Sequence, residues 1–224
     1  MRSALALALL SIPAAAQGEI SADAAFLSDY RDRGLSLSDT DATGLAGVEA
    51  GGRTVFGGLV SGYVQDLAGR DLFVGGYIGA SAFVADAYDV SLTLYGDSFH
   101  GLQAGEDSQA FFEARATIAR DVGLIYARVG VSVAPAGRWS DPDDTVLYPF
   151  LELQVPVPRA PWLTLVVETG YSAVFGGPDR ADWRIGLNAG WKGFDLFAGY
   201  TDTSTGAFGR LGRATGLVEL RYYF

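Results

Sequence analysis

The segment Gly216-Leu217-Val218-Glu219-Leu220-Arg221-Tyr222-Tyr223-Phe224 carries two chemistries that alternate residue by residue. Val218, Leu220, Tyr222 and Phe224 share one face of an extended strand, and Leu217, Glu219, Arg221 and Tyr223 share the other, because successive strand side chains point to opposite sides. One face suits hydrocarbon or a protein core; the other suits water or ionic partners. The pattern recurs upstream. Trp183, Ile185, Leu187, Ala189 and Trp191 oppose Asp182, Arg184, Gly186 and Asn188, while Ile125, Ala127, Val129, Val131 and Val133 oppose Tyr126, Arg128, Gly130 and Ser132. In a soluble sandwich the apolar rows point into a core, and in a membrane barrel they point outward.

Composition narrows the choice. The 30 glycines and 12% aromatics suit bent, closely packed strands rather than helices. No segment after the first residues holds a helical period or a long apolar run, so a membrane-crossing chain of this kind crosses as strands in a closed barrel. A net charge of −10 without a basic stripe argues against nucleic-acid binding, and the absence of cysteine removes disulfides and thiol chemistry. Met1, Arg2, the run Ala4–Leu10 and Ala14-Ala15-Ala16 read as a removed secretory signal over residues 1–16, leaving 17–224 as a single outer-membrane barrel domain.

A period of two gives about twelve strands in the mature chain. Their expected spans are 21–35, 41–50, 54–65, 71–84, 88–97, 108–120, 124–134, 145–157, 162–174, 182–191, 194–202 and 213–224. Short connections such as Gly51-Gly52-Arg53, Asp121-Val122-Gly123 and Lys192-Gly193 alternate with longer ones such as 98–107, 135–144 and 203–212. The expected fold is therefore all-β: a closed antiparallel transmembrane β-barrel with short periplasmic turns and longer extracellular loops. Tyr30, Tyr88, Tyr171, Trp183, Trp191, Tyr200 and Tyr222 would form its interfacial girdles. Pro149 and Pro156 call for a bulge or a shortened eighth strand, and the glycines of 55–65 leave its facing open.

The inward face supplies the candidate functional residues. Asp23, Asp29, Glu49, Asp89, Glu113, Glu152, Glu168, Asp182, Asp195 and Glu219 stand against Arg31, Arg33, Arg115, Arg128, Arg184 and Arg221. Acids in excess on a pore wall favour cations; alternatively the charges pair and fill the interior. A barrel of this size lies between those filled by side chains and wide open channels, and inward Phe73, Tyr77, Tyr95, Tyr126, Phe150 and Phe197 narrow it further. The expected role is a narrow channel for passive diffusion of ions or small polar solutes. The alternatives are a lipid-hydrolase-like barrel enzyme, or a structural barrel that displays loops around a filled lumen. For the enzyme, the chain offers a single histidine, His100, near Asp97, Ser98 and Glu106. No catalytic residue, metal cluster or cofactor motif emerges, since Asp141, Asp143 and Asp144 lack the glycine and distal glutamate of a calcium loop.

Two segments resemble a known family. Phe26-Leu27-Ser28-Asp29-Tyr30-Arg31-Asp32-Arg33-Gly34-Leu35-Ser36, followed by Gly44–Val48, resembles the opening signature of the TorF family of outer-membrane porins. Asp182–Gly186 and Phe194–Thr203 resemble that family's penultimate hairpin. The resemblance implies a barrel and a porin role but no substrate. Leu220, Tyr222 and the terminal Phe224 likewise resemble the C-terminal signal read by the barrel-insertion machinery. The partners implied are outer-membrane lipid and lipopolysaccharide, that machinery, and small solutes or ions.

Overall fold

Twelve antiparallel strands close into a barrel in which each strand pairs with its sequence neighbours and the first pairs with the last. The structure, a computed structural model, describes residues 19–52, 54–65, 69–85, 87–101 and 108–224; the proposed signal segment lies outside the described residues. The wall consists of β1 (Glu19–Leu27), β4 (Thr43–Gly51), β5 (Val55–Tyr63), β6 (Leu72–Val84), β7 (Tyr88–His100), β8 (Ser108–Val122) and β9 (Ile125–Ala134). It continues through β10 (Thr145–Val157), β11 (Ala160–Phe175), β12 (Arg180–Trp191), β13 (Phe194–Thr203) and β14 (Thr215–Tyr223). Closure sets Phe26 opposite Leu220 and Ala24 opposite Tyr222, so no strand edge is left in the hydrocarbon layer.

The two faces separate as the alternation requires. In β14, Leu220 is 41% exposed on the outer surface while its neighbour Glu219 is 8% exposed inside. Trp183, Ile185 and Leu187 of β12, and Val129, Val131 and Val133 of β9, also face outward. Apolar side chains on the outside and ions within are the reverse of a soluble sandwich. In β5, Val55, Leu59 and Tyr63 face out and Phe56 faces in. Both prolines of β10 stay in the strand, with a register shift between Pro156 and Val157.

Short connections gather at one end, here called the short-turn end. Lys192 and Gly193 turn with φ of 46° and 83°, the left-handed pair that a two-residue hairpin with the native strand twist requires. Outer-surface aromatics mark both rims. Trp191, Phe194, Tyr222 and Phe224 pack in succession at the short-turn end, with Phe194 and Tyr222 ring centroids 4.5 Å apart, and Trp183 meets Tyr200 at 5.2 Å nearer the long-loop end.

One expectation fails at the first strand. The wall strand ends at Leu27 rather than Leu35, and the chain then turns into the lumen, where Arg31–Asp32 (β2) and Leu35–Ser36 (β3) form a separate hairpin. Its turn residues, Arg33 and Gly34, have φ of 50° and 77°. Asp29 to Arg33 place charge on both faces, so this segment has no apolar face for lipid. Tyr30 accordingly belongs to no girdle: it is 1% exposed and lies 6.2 Å from Phe73 inside the barrel. Asp29, Arg31 and Arg33 sit on this inserted loop and not on the wall.

Candidate functional site

The lumen has three levels, and the inserted loop forms the uppermost. Residues 29–38 are held by bonds among themselves: Leu37 N donates to Tyr30 O at 2.7 Å, and Tyr30 N donates to Ser38 Oγ at 2.9 Å. Asp29 accepts from Arg31 Nε at 2.7 Å and from Ser36 Oγ at 2.6 Å. Around this frame Tyr30, Leu35 and Leu37 join Leu27, Leu45, Val64, Phe73, Phe99, Phe111 and Trp139 in a buried apolar cluster inside the long-loop end. A cluster of that size stabilises the inserted position by burying aromatic and aliphatic area that an outward loop would leave in water.

Ion pairs fasten the hairpin tip. Arg33 donates to Glu113 of β8 and, at 2.9 Å, to Ser132 Oγ of β9, with its guanidinium 3.8 Å above the Tyr148 ring. Glu113 also accepts from Arg138 and, at 2.8 Å, from Arg115. Arg138 and Trp139 lie in the β9–β10 loop, which turns inward as well; Arg138 pairs with Asp32, and Trp139 Nε1 donates to Asp32 Oδ2 at 2.8 Å. Burial alone raises the Asp32 carboxyl, but Arg138, then Arg33, and the Trp139 hydrogen bond hold it below its ordinary value. In the same loop Asp141 accepts both terminal nitrogens of Arg180, at 2.9 and 2.6 Å, a bidentate fork that leaves Arg180 1% exposed.

Gly34 shows how closely the tip meets the wall. A Cβ built there comes within 2.9 Å of Asp202 O and of Thr203 Cβ, and within 3.1 Å of Asp182 Cβ. Glycine is required twice, for its left-handed φ and for this approach. The loop is also tied to the last connection, since Arg31 Nη1 donates to Arg213 O at 2.8 Å.

Beneath the plug lies a chamber of about 70 Å³, bounded above by Arg31, Asp32, Arg33 and Gly34. Strand register puts Arg128 opposite Glu152, Glu152 opposite Glu168, Glu168 opposite Arg184 and Arg184 opposite Thr201, a row of charge that crosses β9 to β13. Arg128 is paired with Glu152, and Arg184 donates to Glu219 of β14 at 3.0 Å. Asp182 and Tyr148, bonded at 3.0 Å, stand one step nearer the plug.

The short-turn end forms the third level. Glu49 accepts from Tyr77, Arg221 is paired with Asp23, and Asp89 and Asp195 are half-buried on the inner wall. The sixteen charged groups expected in the lumen thus lie on three different levels. Leu220, Tyr222 and Phe224 lie on the outer surface.

Other residues at the site were not singled out from sequence as lumen groups. Asp97 is inward on β7, and its even spacing from Asp89 within the expected strand 88–97 was a usable signal. Asp32, Arg138, Trp139, Asp141 and Arg180 come from loops, where strand periodicity carries no information. The hydrolase alternative fares differently. His100 Nε2 and Ser98 Oγ are 3.1 Å apart on the outer face, whereas Asp97 points into the lumen, so the sheet separates them; Glu106 lies outside the described residues. Among the described residues no group of acids and histidine could hold a metal ion.

A family model described as "Bacterial protein of unknown function (Gcw_chp)" matches residues 12–215. The chain belongs to this Gcw_chp family. No curated protein matches the sequence. Among solved structures, LpxR from Salmonella typhimurium is similar at 8% identity and a TM-score of 0.54, covering 92% of this chain and 99% of that one. A chain from work on the mechanism of in-meso crystallization of membrane proteins is similar at 10% identity and a TM-score of 0.58, covering 92% and 83%. At these identities the likeness is one of fold, and the fold is that of outer-membrane barrels.

Proposed function

We propose that this Gcw_chp protein is a narrow outer-membrane channel of porin type, through which ions or small polar solutes diffuse passively. The observation that carries the reading is the mid-barrel chamber with ionised walls, closed above by a loop rather than by wall strands. A loop can be displaced while the barrel stays closed, so the wall defines a path and the plug sets its width. Acids at the short-turn end support a mild cation preference, since Asp89 and Asp195 add to Glu49 while Arg221 is engaged with Asp23. The likeness of the chain's two ends to TorF porins points the same way. On this reading residues 1–16 are removed on export, the short turns face the periplasm, and the long loops face outward among lipopolysaccharide. The barrel-insertion machinery would read Leu220, Tyr222 and Phe224.

Refolded barrel in planar bilayers is expected to give small unitary currents, with a reversal potential in a salt gradient that favours cations. Electrically silent bilayers containing correctly folded barrel would overturn the proposal. They would support a second reading, a structural barrel with a filled lumen, which the apolar cluster sealing the long-loop end favours. A catalytic role is not part of the proposal, because His100 and Asp97 stand on opposite faces.

A further inference from the structure

We propose that the mid-barrel chamber binds a compact zwitterion, a small solute carrying one ammonium and one carboxylate. Buried atoms on its wall that make no hydrogen bond include Arg33 Nη1 and Arg128 Nε, donors of fixed positive charge, and Asp182 Oδ2, an acceptor of negative charge. The rest of each group is already engaged. Arg33 uses Nη2 for Glu113 and Ser132, and Asp182 uses Oδ1 for the Tyr148 hydroxyl at 3.0 Å. Both residues are anchored on Tyr148, the guanidinium 3.8 Å over its ring and the carboxylate on its hydroxyl, so their spacing is fixed by one rigid side chain. Among the described residues no ion pair joins them to each other.

Leaving a charged donor and a charged acceptor buried without partners is costly, and a ligand that serves both recovers the penalty. A simple anion would satisfy Arg33 while opposing Asp182, and a simple cation would do the reverse. The charged row of the wall offers no excess of either sign to override this, because Arg128 and Arg184 flank Glu152 and Glu168. A chamber of about 70 Å³ holds a few water molecules, or one small solute that displaces them.

The inference rests on the channel reading for delivery of the solute, but the two fail separately. Equilibrium dialysis of detergent-refolded barrel would use labelled glycine, β-alanine and 4-aminobutyrate, whose two heads stand progressively farther apart. Acetate and methylammonium serve as single-headed controls. At least one zwitterion is expected to bind about tenfold more tightly than either control. Asp182→Asn keeps an oxygen for Tyr148 but removes the charge; it is expected to lower zwitterion affinity about tenfold and to strengthen acetate binding. Acetate binding as tightly as every zwitterion would overturn the proposal in favour of an anion site. Binding of no probe would overturn it in favour of atoms served by water. These comparisons use the unaltered chain, so they stand even if the variant fails to refold. Binding in a barrel that is silent in bilayers sinks the channel alone; conduction without binding sinks the site alone.

Discussion

At the long-loop end the bore holds Tyr30, Leu35, Leu37, Phe73, Phe99 and Trp139 in mutual contact, clamped by Glu113 and its three arginines; at the short-turn end it holds Glu49, Asp89 and Asp195 facing water. Both ends are enclosed by the same wall with the same alternation. They differ in whether a loop enters. The wall strands determine only which side chains point inward, and what those side chains meet is decided by the connection above them. Where a connection is two residues long, as at Lys192 and Gly193, nothing can fold back and the inner groups stay solvated. Where fifteen residues separate β1 from β4, the chain can return and bury its own apolar groups.

Removing the loop should break the contrast outright. Replacing residues 30–37 by two glycines leaves every wall strand intact, because Tyr30 and Leu37 are already bonded neighbours. Unitary conductance in planar bilayers is expected to rise severalfold, the largest effect considered. An unchanged conductance would mean that the plug does not limit the path.

Removing the clamp is expected to do less. Glu113→Ala leaves Arg33, Arg115 and Arg138 without their shared carboxylate. Breaking a buried pair from one side costs about 3–5 kcal/mol. Urea unfolding of refolded barrel should show that loss, accompanied by frequent brief openings. A midpoint within error of the parent would show that the arginines find other partners.

Sequence periodicity reached the wall and stopped at the loops. Glu219, Glu152 and Arg128 were readable as inward because lipid forces a strict period of two on their strands. Pro149 and Pro156 suggested an interruption that one register shift absorbs. Asp29-Tyr30-Arg31-Asp32-Arg33 obeys a different constraint. The charges of Asp32 and Arg33 are satisfied by Glu113, Trp139 and Arg138, residues some 80 to 107 positions away, and no local pattern encodes such partners. The available signals were charge on both faces and an Arg-Gly pair of the kind that turns a hairpin. Arg138 and Arg180 gave no signal at all, since a loop arginine reads as solvated until the fold turns it inward.

A single methyl or isopropyl group tests how tightly the tip is seated. Gly34→Val introduces a β-branched residue at a φ of 77° and a side chain directed at Asp202 O and Thr203. Strain of this kind costs about 1–3 kcal/mol. The expected readout is faster trypsin cleavage after Arg33 in folded barrel. Parent-like protection would mean that the tip and wall adjust to each other more easily than their 2.9 Å approach implies.

Acid should act in the same direction with a smaller amplitude. The Asp32 carboxyl is held below its ordinary value of 3.8, so it is charged and paired in the inserted loop. A depressed acid contributes stability that is fully present above the ordinary value and is lost as pH falls through the lower folded value. Conductance is therefore expected to stay flat down to about pH 4 and to increase below it. Asp32→Asn should remove this step while raising the neutral-pH conductance slightly. A rise that begins near pH 6 would assign the transition to other groups.

The smallest effect belongs to the open end. Asp89 and Asp195 lie on strands that no loop covers, half-buried and in reach of solvent, so salt screens them over about 10 Å at 0.1 M. Changing both to asparagine is expected to reduce the cation-to-anion permeability ratio by less than about twofold, with unitary conductance little altered. The change should fade as salt is raised to about 1 M, where screening contracts to about 3 Å. The same pair of substitutions made in the plug-deleted barrel sharpens the test. With the plug gone, the charged row from Arg128 to Arg184 still crosses the wall, and the mouth should then contribute still less to selectivity. A larger effect in the deleted barrel would place selectivity at the mouth and reduce the plug to a simple obstruction.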